Sequence, residues 1–124
     1  MRTTFTSPDA PAPSGPYSQA VAGGAIVFLA GQGPGTLEGT NIDGPFEEQV
    51  RQVFRNLEAV ARAAGGGLQD AIRVGVYLRD MDDFEAMNVV YREFFSEPYP
   101  ARTTIQSNIP IPIEVDAVLW IATK

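Results

Sequence analysis

The stretch after Pro45 repeats apolar residues at three- and four-residue spacing, which predicts a helix with one buried face. Pro45 suits the first turn of a helix, and Glu47 and Glu48 suit its positive end. Gly65-Gly66-Gly67 ends the pattern. The apolar positions are Val50, Val53, Phe54, Leu57, Val60, Ala61 and Ala64.

A second helix is predicted from about Phe84 to Phe95, because Met87, Val90, Tyr91 and Phe94 share one side of it. Runs of β-prone residues predict strands in the rest of the chain. These strands span residues 3–7, 17–21, 25–30, 72–78, 102–106 and 113–122. Residues 25–30 are apolar throughout, which predicts burial on both faces, and Gly23-Gly24 predicts a hairpin before them.

The predicted order is β-β-β-α-β-α-β-β, in which each helix joins two strands. Such connections favour parallel crossovers within one sheet. An α+β fold follows, with a mixed sheet and two helices on one face. The other face needs a cover, and in so short a chain we expect another copy to supply it. Candidates for that buried layer are Val27, Leu29, Val74 and Val76.

Composition and charge narrow the class of protein. The 124 residues, 44% of them hydrophobic, predict a single folded domain over 1–124. The net charge of −6 argues against nucleic acid as a partner. No stretch is long and apolar enough to predict a membrane span or a signal peptide, so we expect a cytoplasmic protein.

The chain contains neither histidine nor cysteine, which limits its chemistry. Thiolate nucleophiles, a Ser-His-Asp triad and Cys- or His-ligated metals are excluded. We expect no metal and no cofactor. The single lysine, Lys124, is the last residue, which excludes a Schiff-base lysine inside the fold.

One arginine and two carboxylates stand inside strand-like segments. Arg102 could bind a carboxylate through two parallel hydrogen bonds, or could be a surface arginine or part of a structural ion pair. Glu114 and Asp116 point to one face of their strand, opposite an apolar face. They could position a water molecule, or could simply face solvent.

Two further segments are candidates for a pocket. Tyr17 follows a proline-rich loop and could wall a small-molecule pocket or be an ordinary strand residue. Residues 31–35, Gly-Gln-Gly-Pro-Gly, lack both the lysine of a phosphate-binding loop and the spacing of a dinucleotide motif. We interpret them as the rim of a pocket.

Together these segments resemble the Rid family, the reactive intermediate deaminases, also called YjgF-type or L-PSP-type proteins. The resemblance covers nearly the whole chain. It is carried by six motifs, in order: Gly15-Pro16-Tyr17-Ser18; Ala30-Gly31-Gln32; Glu48-Gln49-Val50-Arg51-Gln52 with Asn56-Leu57; Asp83-Phe84 with Asn88, Tyr91 and Phe94-Phe95; Tyr99-Pro100-Ala101-Arg102-Thr103-Thr104; and Ile113-Glu114-Val115-Asp116-Ala117.

The resemblance implies a chorismate-mutase-like α+β fold and a homotrimer with a pocket in each cleft between subunits. It also implies hydrolysis of enamines or imines to a keto acid and ammonia. On this basis Arg102 holds the substrate carboxylate and Glu114 positions the attacking water. Tyr17 and Asn88 are pocket positions, as are Ala30 and Gly31, and the backbone of Thr104 faces the reacting carbon.

Two positions depart from the family archetype, which has serine at Ala30 and cysteine at Thr104. These changes alter the polarity of the pocket, so another imine or enamine, including a larger one, remains open as substrate. One alternative is a binding or regulatory protein that holds a keto acid without turnover. Another is an endoribonuclease, which the net charge of −6 argues against.

Overall fold

A computed structural model describes residues 1–122, so Lys124 lies outside the described residues. The strands are β1 (Arg2–Phe5), β2 (Ala20–Gly23), β3 (Ile26–Gln32), β4 (Ala71–Leu78), β5 (Ala101–Gln106) and β6 (Ile113–Trp120). The helices are α1 (Phe46–Ala63) and α2 (Phe84–Phe94). Two short 3₁₀ helices complete the described elements: Leu68–Asp70 precedes β4, and Met81–Asp83 precedes α2.

The strands form one mixed sheet in the order β1-β2-β3-β6-β4-β5. Only β4 and β5 pair in parallel, and α2 makes the crossover between them. Helix α1 joins β3 to β4, but β6 lies between those two strands and is antiparallel to both. The predicted α+β class, element order and parallel crossover are therefore confirmed. The Gly23-Gly24 hairpin is also present, with Gly24 at a φ of 61°.

Both helices lie on the same side of the sheet. Every residue of the predicted stripe on α1 is buried. On α2, Met87, Val90 and Tyr91 are buried while Phe94 is partly buried. Phe54 of α1 joins the helices, because its ring lies 5.1 Å from that of Phe94 and 5.8 Å from that of Tyr91. In the described residues, no helix is long and apolar enough to cross a membrane.

The prediction that residues 25–30 are buried on both faces is wrong. Val27 and Leu29 are each 3% exposed, whereas Phe28 between them is 58% exposed. Strand β3 alternates because helices cover only one face of the sheet. Strand β6 alternates in the same way, with Ile113, Val115, Ala117 and Leu119 facing the helices, as the sequence predicts.

The open face of the sheet has different residues from those predicted. Val27, Leu29, Val74 and Val76 lie beneath the helices of their own chain, so they are not the layer that another copy would cover. The open face instead carries Phe28 and Trp120 at one end, and polar side chains around Glu114 and Asp116 towards the other. Period-two alternation shows which residues share a face, but not which face the helices take.

Phe54→Ala tests the contact between the helices. Phe54 is fully buried between three aromatic rings, so the change should lower the free energy of unfolding by about 3–5 kcal/mol. Urea unfolding at one fixed protein concentration measures the loss. Leu37→Ala, in an exposed loop, is the control and should change stability by less than about 0.5 kcal/mol. Equal losses in both variants would contradict this assignment of the core.

Candidate active site

Five of the seven candidate residues line two separate cavities. Tyr17, Gly31 and Glu114 line a cavity of about 270 Å³, which we call the glutamate half-site. Asn88 and Arg102 line a second cavity of about 250 Å³, which we call the arginine half-site. The structure therefore brings together the residues within each group, but it does not bring the two groups together.

Tyr17 lies in a loop and not in a strand, because β2 begins only at Ala20. Its N–H donates to the carbonyl of Gly15 at 2.9 Å, a turn that leaves the segment unavailable for strand pairing. The ring folds over Gly15, and the hydroxyl accepts the N–H of Ser14 at 3.2 Å. The prediction of a strand from residue 17 is wrong, while Tyr17 as a pocket wall agrees with the structure.

The buried side chain of Gln19 fixes this proline-rich loop to the sheet. Its Oε1 accepts the N–H of Ser7 at 2.6 Å, and its Nε2 donates to the carbonyl of Pro11 at 2.8 Å. The carbonyl of Gln19 also accepts the N–H of Ala30 at 2.9 Å. Ala30 thus has an internal backbone role and lines neither cavity in the part of the chain that the structure describes.

Glu114 lies at the start of β6 and faces Gly31 across a bulge in β3. A Cβ at residue 31 would collide with the Glu114 carboxylate, so any larger residue there would displace that side chain from its present position. Within residues 1–122, the Glu114 side chain has no hydrogen bond and no ion pair. Its carboxylate is therefore free to accept a proton or a hydrogen bond from a molecule in the cavity.

Asn56, which the sequence matches only as part of a family motif, supports the rim of the glutamate half-site. It lies within the apolar stripe of α1 and is 2% exposed. Its Nδ2 donates to the carbonyls of Gly33 and Gly35 at 3.1 and 3.0 Å, and its Oδ1 accepts from Gln52 at 2.9 Å. Those glycines line the glutamate half-site, so Asn56 fixes its rim. A polar residue beside a helical apolar stripe was the available signal.

Arg102 is held by aromatic faces. Its guanidinium carbon lies 4.6 Å from the centre of the Tyr91 ring and 5.5 Å from that of Phe84. The ion pairs of the described residues do not include Arg102. Two of its possible roles, surface arginine and structural ion pair, are thereby disfavoured, because it is partly buried and its charge is not neutralised.

Two buried hydroxyl groups, those of Tyr91 and Thr104, lie with Arg102 on the side of the sheet that the helices cover. Tyr91 is 4% exposed, and its hydroxyl has no hydrogen-bond partner among the described residues. Burial raises the pKa of Tyr91, and the nearby charge of Arg102 opposes that rise. The hydroxyl of Thr104 is also buried without a described partner, although Thr104 lines neither cavity of the described chain.

The two half-sites lie on opposite faces of the sheet. Arg102 pairs with Val74, whose side chain lies under the helices, and Arg102 itself contacts the rings of α2. Glu114 pairs with Tyr77 on the face that no helix covers. One copy of the chain therefore cannot direct both side chains at one small molecule.

Asp116, two residues from Glu114 on the same face, is already engaged. Its Oδ2 accepts the hydroxyl of Tyr77 at 3.0 Å, and Nη1 of Arg73 lies 3.6 Å from its Oδ1. Burial, and then this hydrogen bond, raises the pKa of Tyr77. The Oδ1 of Asp116 is buried and has no hydrogen-bond partner in the described chain. Asp116 is thus partly engaged, whereas the Glu114 carboxylate has neither a hydrogen bond nor an ion pair there. No cluster of three or more acidic side chains in the described chain could hold a metal ion.

The chain is similar to known proteins along nearly its whole length. The family model described as Endoribonuclease L-PSP matches residues 7–119. A 2-iminobutanoate/2-iminopropanoate deaminase of Dermatophagoides farinae is 42% identical over 102 residues, or 82% of this chain and 80% of that protein.

Two solved structures share the fold. RidA from an Antarctic Psychrobacter is 38% identical, with a TM-score of 0.91 over 96% of this chain and 99% of that one. TdcF of E. coli, solved with bound serine, is 32% identical, with a TM-score of 0.90 over 97% of this chain and 99% of that one.

Asn56→Ala tests the fastening of the glutamate half-site. The change removes a donor from each of the carbonyls of Gly33 and Gly35, although Gly35 keeps a longer bond of 3.4 Å from Gln52. The free energy of unfolding should therefore fall by about 1–3 kcal/mol. Amide exchange at residues 33–36 should accelerate more than exchange in β4. Gln49→Ala, which removes an exposed bond to Gly44, is the matched control on the same helix. Unchanged exchange in the rim would show that Asn56 does not fasten it.

Proposed function

The chain belongs to the endoribonuclease L-PSP family, which includes Rid proteins, and from this premise we propose that it is an imine deaminase. It hydrolyses small imines or enamines that bear a carboxylate, giving a carbonyl compound and ammonia. One observation carries the proposal: an unpaired arginine and an unpaired glutamate line two incomplete cavities on opposite faces of the sheet. A relative named as an imine deaminase and a neighbour solved with bound serine support a small, amino-acid-like ligand.

Neighbouring copies complete the site. The glutamate half-site of one copy meets the arginine half-site of the next, so each contact joins two different surfaces. A head-to-tail contact of this kind closes into a ring where the rotation between copies allows it, and the family resemblance implies a ring of three. The open face suits such a contact, because Phe28 and Trp120 are exposed on it. We therefore propose a homotrimer.

Arg102 binds the substrate carboxylate through two parallel hydrogen bonds. Its aromatic supports orient the guanidinium without neutralising it, so its full charge is available to the ligand. A planar guanidinium also fixes the substrate in rotation, which places the imine carbon at a defined position relative to the facing half-site.

Glu114 acts on the attacking water. It accepts a proton as the water oxygen bonds to the imine carbon, and the C=N electron pair moves to nitrogen. It returns that proton to nitrogen, which gives a carbinolamine. It then takes the proton of the new hydroxyl group and passes it to the same nitrogen, so the C–N bond breaks, the carbonyl forms and ammonia leaves. The imine carbon is already electrophilic, so no protein nucleophile is needed. A chain without histidine and cysteine can therefore perform this reaction.

Two other functions agree less well with the residues of this chain. A protein that only binds keto acids needs Arg102 but has no use for an unpaired carboxylate in the facing cavity. The family description names endoribonucleases, but a net charge of −6 and the absence of histidine are unfavourable for holding and cleaving RNA.

Glu114→Gln separates an enzyme from a binding protein. It keeps the size of the side chain and removes its basicity, so kcat should fall by about 100-fold or more, while affinity for a keto acid stays nearly unchanged. Ammonia release is measured on imines generated in situ by an amino-acid oxidase. Asp116→Asn is the control two residues along the strand and should stay within about threefold of the parent rate. A fully active Glu114→Gln protein, or a more damaging Asp116→Asn change, would remove Glu114 from the mechanism.

Mixing two variants tests the composite site. Arg102→Lys alone should lose about tenfold or more in kcat/KM on carboxylate-bearing imines, because the planar fork is lost. Trimers refolded from equal amounts of Arg102→Lys and Glu114→Gln chains should recover about a quarter of the parent activity, since random assembly leaves that share of sites with both intact halves. Refolding each variant separately gives the baseline. If the mixture is no more active than the average of the two, each site lies within one chain.

A further inference from the structure

We propose that the arginine half-site takes a substrate with a second acidic group, which Arg92 binds; this inference rests on the proposed deaminase function. Arg92 lies four residues after Asn88 and one after Tyr91 on α2. Positions three and four apart share one face of a helix. The three side chains accordingly line the same cavity as Arg102.

The charge of this cavity is one-sided. Its described lining contains two guanidinium groups and no carboxylate: Asn88, Tyr91, Arg92, Tyr99, Pro100 and Arg102. Such a cavity concentrates anions even in a chain whose net charge is −6.

Arg92 has no ion pair within the described residues. Arg51, Arg62 and Arg73 each lie against a carboxylate, whereas the described ion pairs do not include Arg2, Arg55, Arg79, Arg92 or Arg102. Of these five, Arg92 and Arg102 line the arginine half-site. The sequence explains this for Arg92, because no acidic residue stands three or four positions from it in either direction. An exposed guanidinium beside a cavity is thus left for a ligand.

The donors in the cavity outnumber the needs of one carboxylate. A bidentate contact with Arg102 uses both oxygens of a carboxylate. Arg92, the Asn88 amide and the buried, unpartnered Tyr91 hydroxyl then remain for other ligand atoms. A second carboxylate or a phosphate on the substrate would satisfy them.

Matched substrates and one matched variant test this inference. Imines generated from aspartate and asparagine have nearly the same shape and differ in charge. The parent protein should have a kcat/KM about tenfold higher on the aspartate-derived imine. Arg92→Gln should bring that ratio close to one and leave the alanine-derived imine within about twofold of the parent value. Arg55→Gln, which removes an exposed charge from α1, should leave the ratio unchanged.

Binding measurements keep this test independent of turnover. Calorimetry with oxaloacetate, phosphoenolpyruvate and pyruvate should give tighter binding of the two ligands that have a second acidic group, and Arg92→Gln should abolish the difference. The tighter of these two ligands tells a second carboxylate from a phosphate. If the second acidic group gives no advantage, or if Arg92→Gln preserves it, this inference is wrong, while turnover of the alanine-derived imine still supports the deaminase. If no imine is turned over, the deaminase proposal fails, and the binding of these two ligands decides on Arg92.

Discussion

The two helices cover one face of the six-stranded sheet and leave the other face open. Because successive residues of a strand point to opposite faces, each strand presents one set of side chains to the core and another to the open face. The core set packs against the two helices, which Phe54 and its aromatic neighbours join to each other. The open set, which includes Phe28 and Glu114, has no cover within the chain. The fold is therefore complete within one copy, while the candidate site is not.

The candidate chemistry follows from this division. Glu114 has an open carboxylate because Gly31 leaves room for it and because Asp116 takes the neighbouring hydrogen bond from Tyr77. The charge of the Arg102 guanidinium is not neutralised, because aromatic rings, and no carboxylate of the described chain, lie against it. Reactive groups of opposite charge thus stay apart within one copy, where they would otherwise neutralise each other. In the proposed ring of copies, they face each other across the cleft that would hold the ligand.

Arg92 shows how a small local change could adjust the ligand without changing the fold. Its side chain belongs to the outer surface of α2, so its identity is free of the packing constraints on Met87 and Val90. Its position on the face shared with Asn88 and Tyr91 still directs it towards the arginine half-site. In the proposed deaminase, the residues that act on the imine and the residue that selects the substrate side chain are therefore separate.

The sequence by itself determined the elements and their order, because helix and strand periods are local properties: the stripe of α1 and the alternation of β6 are both as predicted. It also determined that Glu114 and Asp116 share a face of their strand. The family motif around Arg102 marked that residue as a candidate for the site. Only the tertiary structure decided which face the helices cover. It therefore corrected two predictions: that Phe28 is buried, and that Val74 and Val76 face another copy. It alone showed Asn56 fastening the pocket rim and separated Arg102 from Glu114 by the sheet. These facts depend on contacts between residues far apart in the chain, which no local period encodes.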